Sequence, residues 1–506
     1  MGESPVQPAD PECRAPWEWP MLLAIFAVFL LLNIVTASRS PTVWMDEVML
    51  TDPAASLYLG HGFHTVASSV MTKEETYVSI AMPYEAALYG WMNIFGLNPT
   101  VVRSLNFVLM VLTVAMICLA VQRCRLVRSP QARIVLACLL LCGYGIAFSF
   151  RSGRYDISAA IVVAAIFLAG TVRQSGLRYS LLAILGALSM WAGMQMAPLL
   201  FVLGLLLLIF FGARFLRPLI VLALGSIAGL LSIYLAYQAE GQWSLFIRTT
   251  RGFASSDAVN RGLLHRTIGA VAATLRGLFL HDYSLTILVL LMLTALLVMI
   301  IGRKWQWRSA PVFGLAVAML FPFAMFFAGH YPVYYSWMAF VPAAVAAVAA
   351  WDTLLRSHQH AAVRWTSALF LAVACLVGLP SRLTLTALEW NQRNYAPVEQ
   401  LVQRNVTSSD WAYCDPAAYY PTKRLAALTF VGTYAPMMSP QEKSQVSVLI
   451  IDPATFDAVQ HTIGGDWRDT GQRLPLITQP NLLGLRSQMG VKFYSLAIYR
   501  RAGPST

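Results

Sequence analysis

Of the 506 residues, 58% are apolar and only 12% charged, about half the charged share of a soluble globular domain, which excludes a soluble protein and leaves a polytopic membrane protein. The formal net charge of +12 sits mainly in short loops between apolar runs and reads as a topology signal; no nucleic-acid motif accompanies it, so nucleic acid is excluded as a partner. Seven scattered cysteines without a C-x-x-C pair supply neither a disulfide framework nor a zinc motif.

In chain order, an acidic N-terminal tail (1–19) unlike a secretory signal precedes roughly eleven apolar stretches long enough to be spans. They lie near 20–37, 101–122, 132–150, 157–172, 180–196, 198–212, 218–237, 284–301, 310–328, 336–351 and 365–380. Lys and Arg concentrate in the loops 122–133, 173–180, 212–218, 302–309 and 351–365, which marks these as the cytoplasmic side. The expected protein is therefore an α-helical bundle (20–380) with a cytoplasmic tail and a long first outer loop (38–100). After residue 380 hydrophobicity drops, and strand-like runs at 445–452 and 491–500 predict a small extracytoplasmic α/β domain over 381–506. No internal repeat or pair of broken helices of the transporter kind is present.

Loop one opens with "VWMDEVML" (43–50). The apolar residues Val48, Leu50, Ala54, Ala55, Leu57 and Tyr58 have helical spacing, and the expected helix lies along the membrane surface. Asp46 and Glu47 stand at its head, where the helix dipole favours ionised carboxylates. Two readings follow: Asp46 caps the helix, or it serves as a base at the lipid–water boundary.

The order of motifs resembles a family. A first span is followed by "WMDE", "LYLGHGF", "PYEAALY" and "FGLNPTVVRSLN" entering the second span, with "SFRSGRYDISAA" and "GHYPVYYSWMAFVPAAVAA" further on. This plan is similar to that of the GT-C glycosyltransferases, in particular the protein mannosyltransferase and lipid A aminoarabinose transferase branch, over most of residues 20–350. The resemblance implies transfer of a hexosyl or pentosyl group, with inversion, from a polyprenyl-phosphate donor to a glycan, lipid or protein acceptor on the extracytoplasmic side. It assigns Asp46 as general base with Glu47 beside it, and Asp156 as a sugar-site or supporting group.

A lipid-linked phosphate needs cations, and Arg suits it better than Lys. The candidates at the outer helix mouths are Lys73, Arg103, Arg151, Arg154, Arg248 and Arg251, with His330 and Tyr331 in a later outer loop. Arg248 and Arg251 share a face of any helix through them; the alternative is a basic face resting on lipid headgroups. Glu74, His61 and His64 could contribute to a divalent-metal site, although no spacing among them defines one. Some relatives carry Glu-Lys-Pro-Pro before the second span, whereas this chain reads "TKEETYVSIAMPYE". The competing class is a lipid or sugar transporter or flippase. Its charges would lie within helices, while here they collect at one face. The expected setting is a bacterial inner (plasma) membrane.

Overall fold

The computed structural model describes residues 15–254, 263–280, 282–303, 306–327, 331–356, 361–475, 477 and 493–502. Each stretch predicted to span is mainly helical over its described residues, but eleven qualifying spans are not found among them. The helices are α1 (Glu18–Thr36), α2 (Met45–Tyr58), α3 (Met82–Phe95), α4 (Pro99–Arg123), α5 (Pro130–Cys142), α6 (Tyr144–Ser149), α7 (Asp156–Gly170), α8 (Ser175–Met190), α9 (Met196–Phe211) and α10 (Leu216–Ala239). There follow α11 (Trp243–Ala254), α12 (Leu263–Leu280), α13 (Tyr283–Ile301), α14 (Ala310–Phe327), α15 (Trp337–Arg356), α16 (Ala361–Leu376) and α17 (Leu379–Leu388). Helices prevail because lipid offers the backbone no hydrogen-bond partner.

Among the described residues, six stretches are long and apolar enough to cross a membrane, or seven if the pair α16 and α17, bent by 46°, is one span. One of the six is the run Met196–Ala239, which is better described as a hairpin. A methyl group placed on Gly204 of α9 would lie 3.4 Å from Cδ2 of Leu219 in α10, a contact impossible in a continuous rod, where fifteen intervening steps rise about 22 Å. The chain therefore turns back at Gly212–Phe215. Three shorter apolar helices, α5, α7 and α8, hold 13, 15 and 16 residues.

Interfaces between spans use small residues. A Cβ on Gly225 or Gly229 of α10 would meet the Ala183 or Ala187 carbonyl of α8 at 2.2 or 2.4 Å, so these glycines let the two backbones touch. The predicted span 132–150 divides at Gly143 into α5 and α6. The predicted loop 238–283 contains α11 and α12.

The chain after α17 adds α18 (Ala396–Asn405) and α19 (Tyr419–Leu425) and five strands: β1 (Trp411–Cys414), β2 (Leu428–Val431), β3 (Val448–Ile451), β4 (Trp467–Leu474) and β5 (Leu496–Arg501). Their order is β2-β1-β3-β5-β4, parallel across β2, β1 and β3 and antiparallel at β3/β5 and β4/β5. The predicted runs become β3 and β5, and residues 491–492 of the second run lie outside the described residues. Four-residue β1 to β3 have mostly buried side chains, as expected of parallel strands covered on both faces.

One expectation is corrected here. Helix α2 exists, but it does not lie on the membrane surface with one face in water: Glu47, Val48, Leu50 to Ser56 are all buried. The physical reason is that the C-terminal domain covers the side opposite the bundle, so the helix is sandwiched and its polar residues are buried as thoroughly as its apolar ones.

Candidate active site

The head of α2 carries the site. Its N-cap is Trp44, which makes no side-chain capping bond, so Asp46 is not the cap. It lies in the first helical turn, where the free N–H groups and the dipole favour negative charge. Arg154 donates from Nη1 to Asp46 Oδ2 at 2.5 Å and from Nε to Asp156 Oδ2 at 2.7 Å. One guanidinium thus bridges two carboxylates on different elements. Gln195 Nε2 donates to the other oxygen of Asp156 at 3.3 Å. Arg154 also lies over the Tyr334 ring at 3.8 Å and the Trp44 ring at 5.7 Å, adding cation–π attraction in a desolvated place.

Burial separates the carboxylates. The side chain of Asp46 is 19% exposed, whereas those of Glu47 and Asp156 are 0% exposed. Glu47 points the other way, to Arg103 of α4, which donates Nη2 to Oε2 at 2.7 Å and Nε to Oε1 at 3.0 Å. Arg103 also donates from Nη1 to the Ala37 and Pro41 carbonyls, fastening the segment that leads into α2. Glu47 is therefore a brace, and Asp46 is the most exposed carboxylate of the three.

The "RSGRYD" loop reaches this position through Gly153. A Cβ there would sit 2.3 Å from Val102 Cγ1 and 2.9 Å from Thr51 Cγ2, so any larger residue would push the loop off α2 and α4. Asn106 of α4 donates from Nδ2 to the carbonyls of Ser152 and Arg154 at 2.7 and 2.9 Å and accepts from the Tyr84 hydroxyl at 2.9 Å. Arg151 donates to Asn33 Oδ1, Thr36 Oγ1 and the Ser40 carbonyl, a buried guanidinium held by neutral acceptors.

The aromatic wall beside Asp46 was not legible as a site in the sequence. Trp44, Phe148 and Tyr334 lie with ring centroids 5.8 to 6.3 Å apart, and all three are half-buried. Their spacing in the chain gives no signal, although each adjoins a motif already singled out. Tyr331 is buried at the head of the segment that brings Tyr334 and Tyr335. His330 lies outside the described residues.

The remaining candidates sit in the first loop and on α11. Lys73 pairs with Glu442 of the C-terminal domain at 2.7 Å and lies 5.2 Å from the Trp411 ring centre, so it ties loop one to that domain. Arg248 is exposed and donates to both oxygens of Glu75 at 2.7 and 2.8 Å; Arg251 is exposed on the same helix. The apolar side of α11 is fixed by Phe246, stacked on Tyr237 at 4.8 Å. Among the described residues no group of three or more His, Cys, Asp or Glu is placed to hold a metal. Glu74 is exposed, His61 is exposed, and His64 Nδ1 contacts the Glu75 carbonyl at 3.0 Å. Among the described residues Glu74, His61 and His64 form no such group.

Glu85 of α3 is a separate oddity. It is 1% exposed, and neither carboxylate oxygen meets a hydrogen-bond partner among the described residues. Burial, reinforced by the Asp52 charge, holds its pKa well above the usual carboxylate range. With the folded value above the unfolded one, the folded state retains a proton that the unfolded state releases, so stability falls as pH rises from the unfolded pKa toward the folded one. Glu85→Gln is expected to melt with the parent near pH 4 and above it, by at least ~2 °C, near pH 8. Parallel melting curves at both pH values would count against a protonated Glu85.

No protein-family model matches the sequence, and no curated protein matches it. Solved structures do. ArnT from Cupriavidus metallidurans bound to undecaprenyl phosphate superimposes with a TM-score of 0.58 at 14% identity, covering 97% of this chain and 100% of that one. The apo form of the same protein gives 0.54 at 13% identity over 96% and 99% of the two chains. An oligosaccharyltransferase from Archaeoglobus fulgidus, tethered to an acceptor peptide containing an NVT sequon, gives 0.50 at 13% identity over 90% and 71%. At these identities the likeness establishes the fold: this chain has the fold of the GT-C glycosyltransferases.

Proposed function

We propose that the protein is an inverting glycosyltransferase that moves a sugar from a polyprenyl-phosphate carrier to a hydroxyl acceptor on the extracytoplasmic side of a bacterial inner membrane. The observation that carries this reading is the burial contrast: Asp46, although paired with Arg154, keeps 19% of its side chain exposed, while Glu47 and Asp156 are fully buried on Arg103 and Arg154. The likeness to an undecaprenyl-phosphate-bound structure supports a lipid-borne donor.

In the proposed step the acceptor oxygen attacks the anomeric carbon as its proton passes to Asp46. The bond from that carbon to the phosphate oxygen breaks, and its electron pair leaves with the polyprenyl phosphate. One displacement inverts the centre. A phosphate leaves without protonation, so one base suffices, unlike glycoside hydrolysis with its acid and base. Arg154 fixes Asp46 through Oδ2; Asp46 Oδ1 takes no hydrogen bond among the described residues. Trp44, Phe148 and Tyr334 offer flat apolar faces beside the base, suited to a sugar ring. We assign the donor phosphate to Arg248 and Arg251, two exposed guanidiniums on one helix, of which Arg248 already holds an anionic group, the Glu75 carboxylate, through Nη2.

Mass spectrometry of lipid copurifying with the protein tests the donor class. A polyprenyl phosphate or its glycosyl ester is expected. Active preparations that carry neither, and that transfer sugar from a nucleotide donor instead, would overturn the proposal.

A further inference from the structure

Helix α2 presents a buried polar stripe, Glu47, Thr51, Asp52 and Ser56. Thr51 bonds back to the Glu47 carbonyl at 2.8 Å; the other three reach across to the C-terminal domain. Tyr420 donates its hydroxyl to Glu47 Oε1 at 3.0 Å, and Tyr419 donates to Asp52 Oδ1 at 2.6 Å. Lys423 reaches Asp52 Oδ1 and Ser56 Oγ, both at 2.9 Å. Just ahead of the helix, the Val43 N–H donates to the Tyr494 hydroxyl at 3.3 Å. Tyr419, Tyr420 and Lys423 are themselves buried, and Tyr419 and Lys423, four apart, share one face of α19.

A second clasp lies further along loop one. The Val431 N–H donates to the Val66 carbonyl at 3.1 Å, extending the edge of the sheet at β2, and Thr433 donates to the Ala67 carbonyl at 2.6 Å. The Lys73–Glu442 pair completes it. A domain that merely covered the site, or lifted to admit substrate, would meet loop one through exposed or apolar contacts that part easily. This one meets the helix bearing Asp46 through a buried ion pair and shared hydroxyls, each of which is left unsatisfied in a dry place if the domain moves. Glu47 shows the arrangement most directly: Arg103 holds it from the bundle and Tyr420 from the domain, so the residue next to Asp46 is fixed from both sides.

We infer that the C-terminal domain is the holder of the catalytic helix, with Tyr420 and Lys423 as positioning residues for Asp46. The inference rests on the transferase reading above. Displacing a reacting group by about 1 Å is enough to lower a rate 10²-fold, so the signature is a loss of kcat without a change in substrate binding. In membranes supplied with a polyprenyl-phosphate sugar, Tyr420→Phe and Lys423→Met are expected to lower kcat about tenfold or more. KM for donor and acceptor stays at the parent value, and assays well below the melting temperature keep unfolding out of the comparison. Lys423→Arg should recover most of the rate.

Because Lys423→Met leaves Asp52 buried without its cation, a second measurement covers the case in which it does not fold. Hydrogen exchange of the parent protein reads the clasp at the Val431 amide, which donates to the Val66 carbonyl. Slow exchange is expected there with and without a polyprenyl-phosphate sugar. Full kcat in Tyr420→Phe, or fast exchange at Val431 once the sugar donor is present, overturns the positioning role in favour of a structural cover or a moving lid. Undiminished transfer by Asp46→Asn would instead remove the transferase assignment to this site, whatever the Tyr420 variant does.

Discussion

Asp46→Asn is expected to abolish sugar transfer, by a factor of about 10² to 10⁴ from loss of the base, while the protein folds and binds donor lipid as before. The substitution keeps the shape of the side chain and one acceptor oxygen for Arg154, whose other carboxylate, Asp156, stays in place at 2.7 Å. Turnover and donor binding measured on the same membranes separate the two effects. Parent-level turnover would return Asp46 to a structural role at the head of α2.

Arg103→Met has the second large effect, and it falls on stability. The guanidinium and the Glu47 carboxylate are both fully buried, and deleting the cation leaves the carboxylate with the Tyr420 hydroxyl alone. Breaking a buried pair from one side costs about 3–5 kcal/mol, and in a chain of 506 residues the melting temperature is expected to fall by about 3–5 °C. The double variant Arg103→Met, Glu47→Leu should recover much of that loss, because the uncompensated charge is gone. A single variant that melts with the parent would show that Glu47 is protonated and that the pair contributes little.

The helices, though not the count of spans, were readable because lipid imposes one solution on an apolar run, and the head of α2 was readable because a carboxylate pair opening an amphipathic pattern is a local signal. What surrounds α2 was not. Its spacing predicted a surface helix, since the pattern shows which positions are apolar but not that a sheet domain 373 positions further on supplies Tyr420 to Glu47. Lys73 looked like a phosphate ligand for the same reason: its partner Glu442 is distant in the chain. The break at Gly143 and the helices α11 and α12 escaped because tertiary packing sets them. Glu85 gave no warning either; an isolated acidic residue in a loop reads as solvated until its neighbours are known.

The shortness of α7 has a consequence for where chemistry happens along the membrane normal. Fifteen residues rise about 22 Å against a hydrocarbon core of about 30 Å, and tilt only shortens the climb. Asp156 opens this short helix, and Arg154 ties it to Asp46. In the reaction proposed above, a lipid-borne donor would meet a base held at the head of so short a helix from within its own leaflet, and the longer journey would fall to the acceptor.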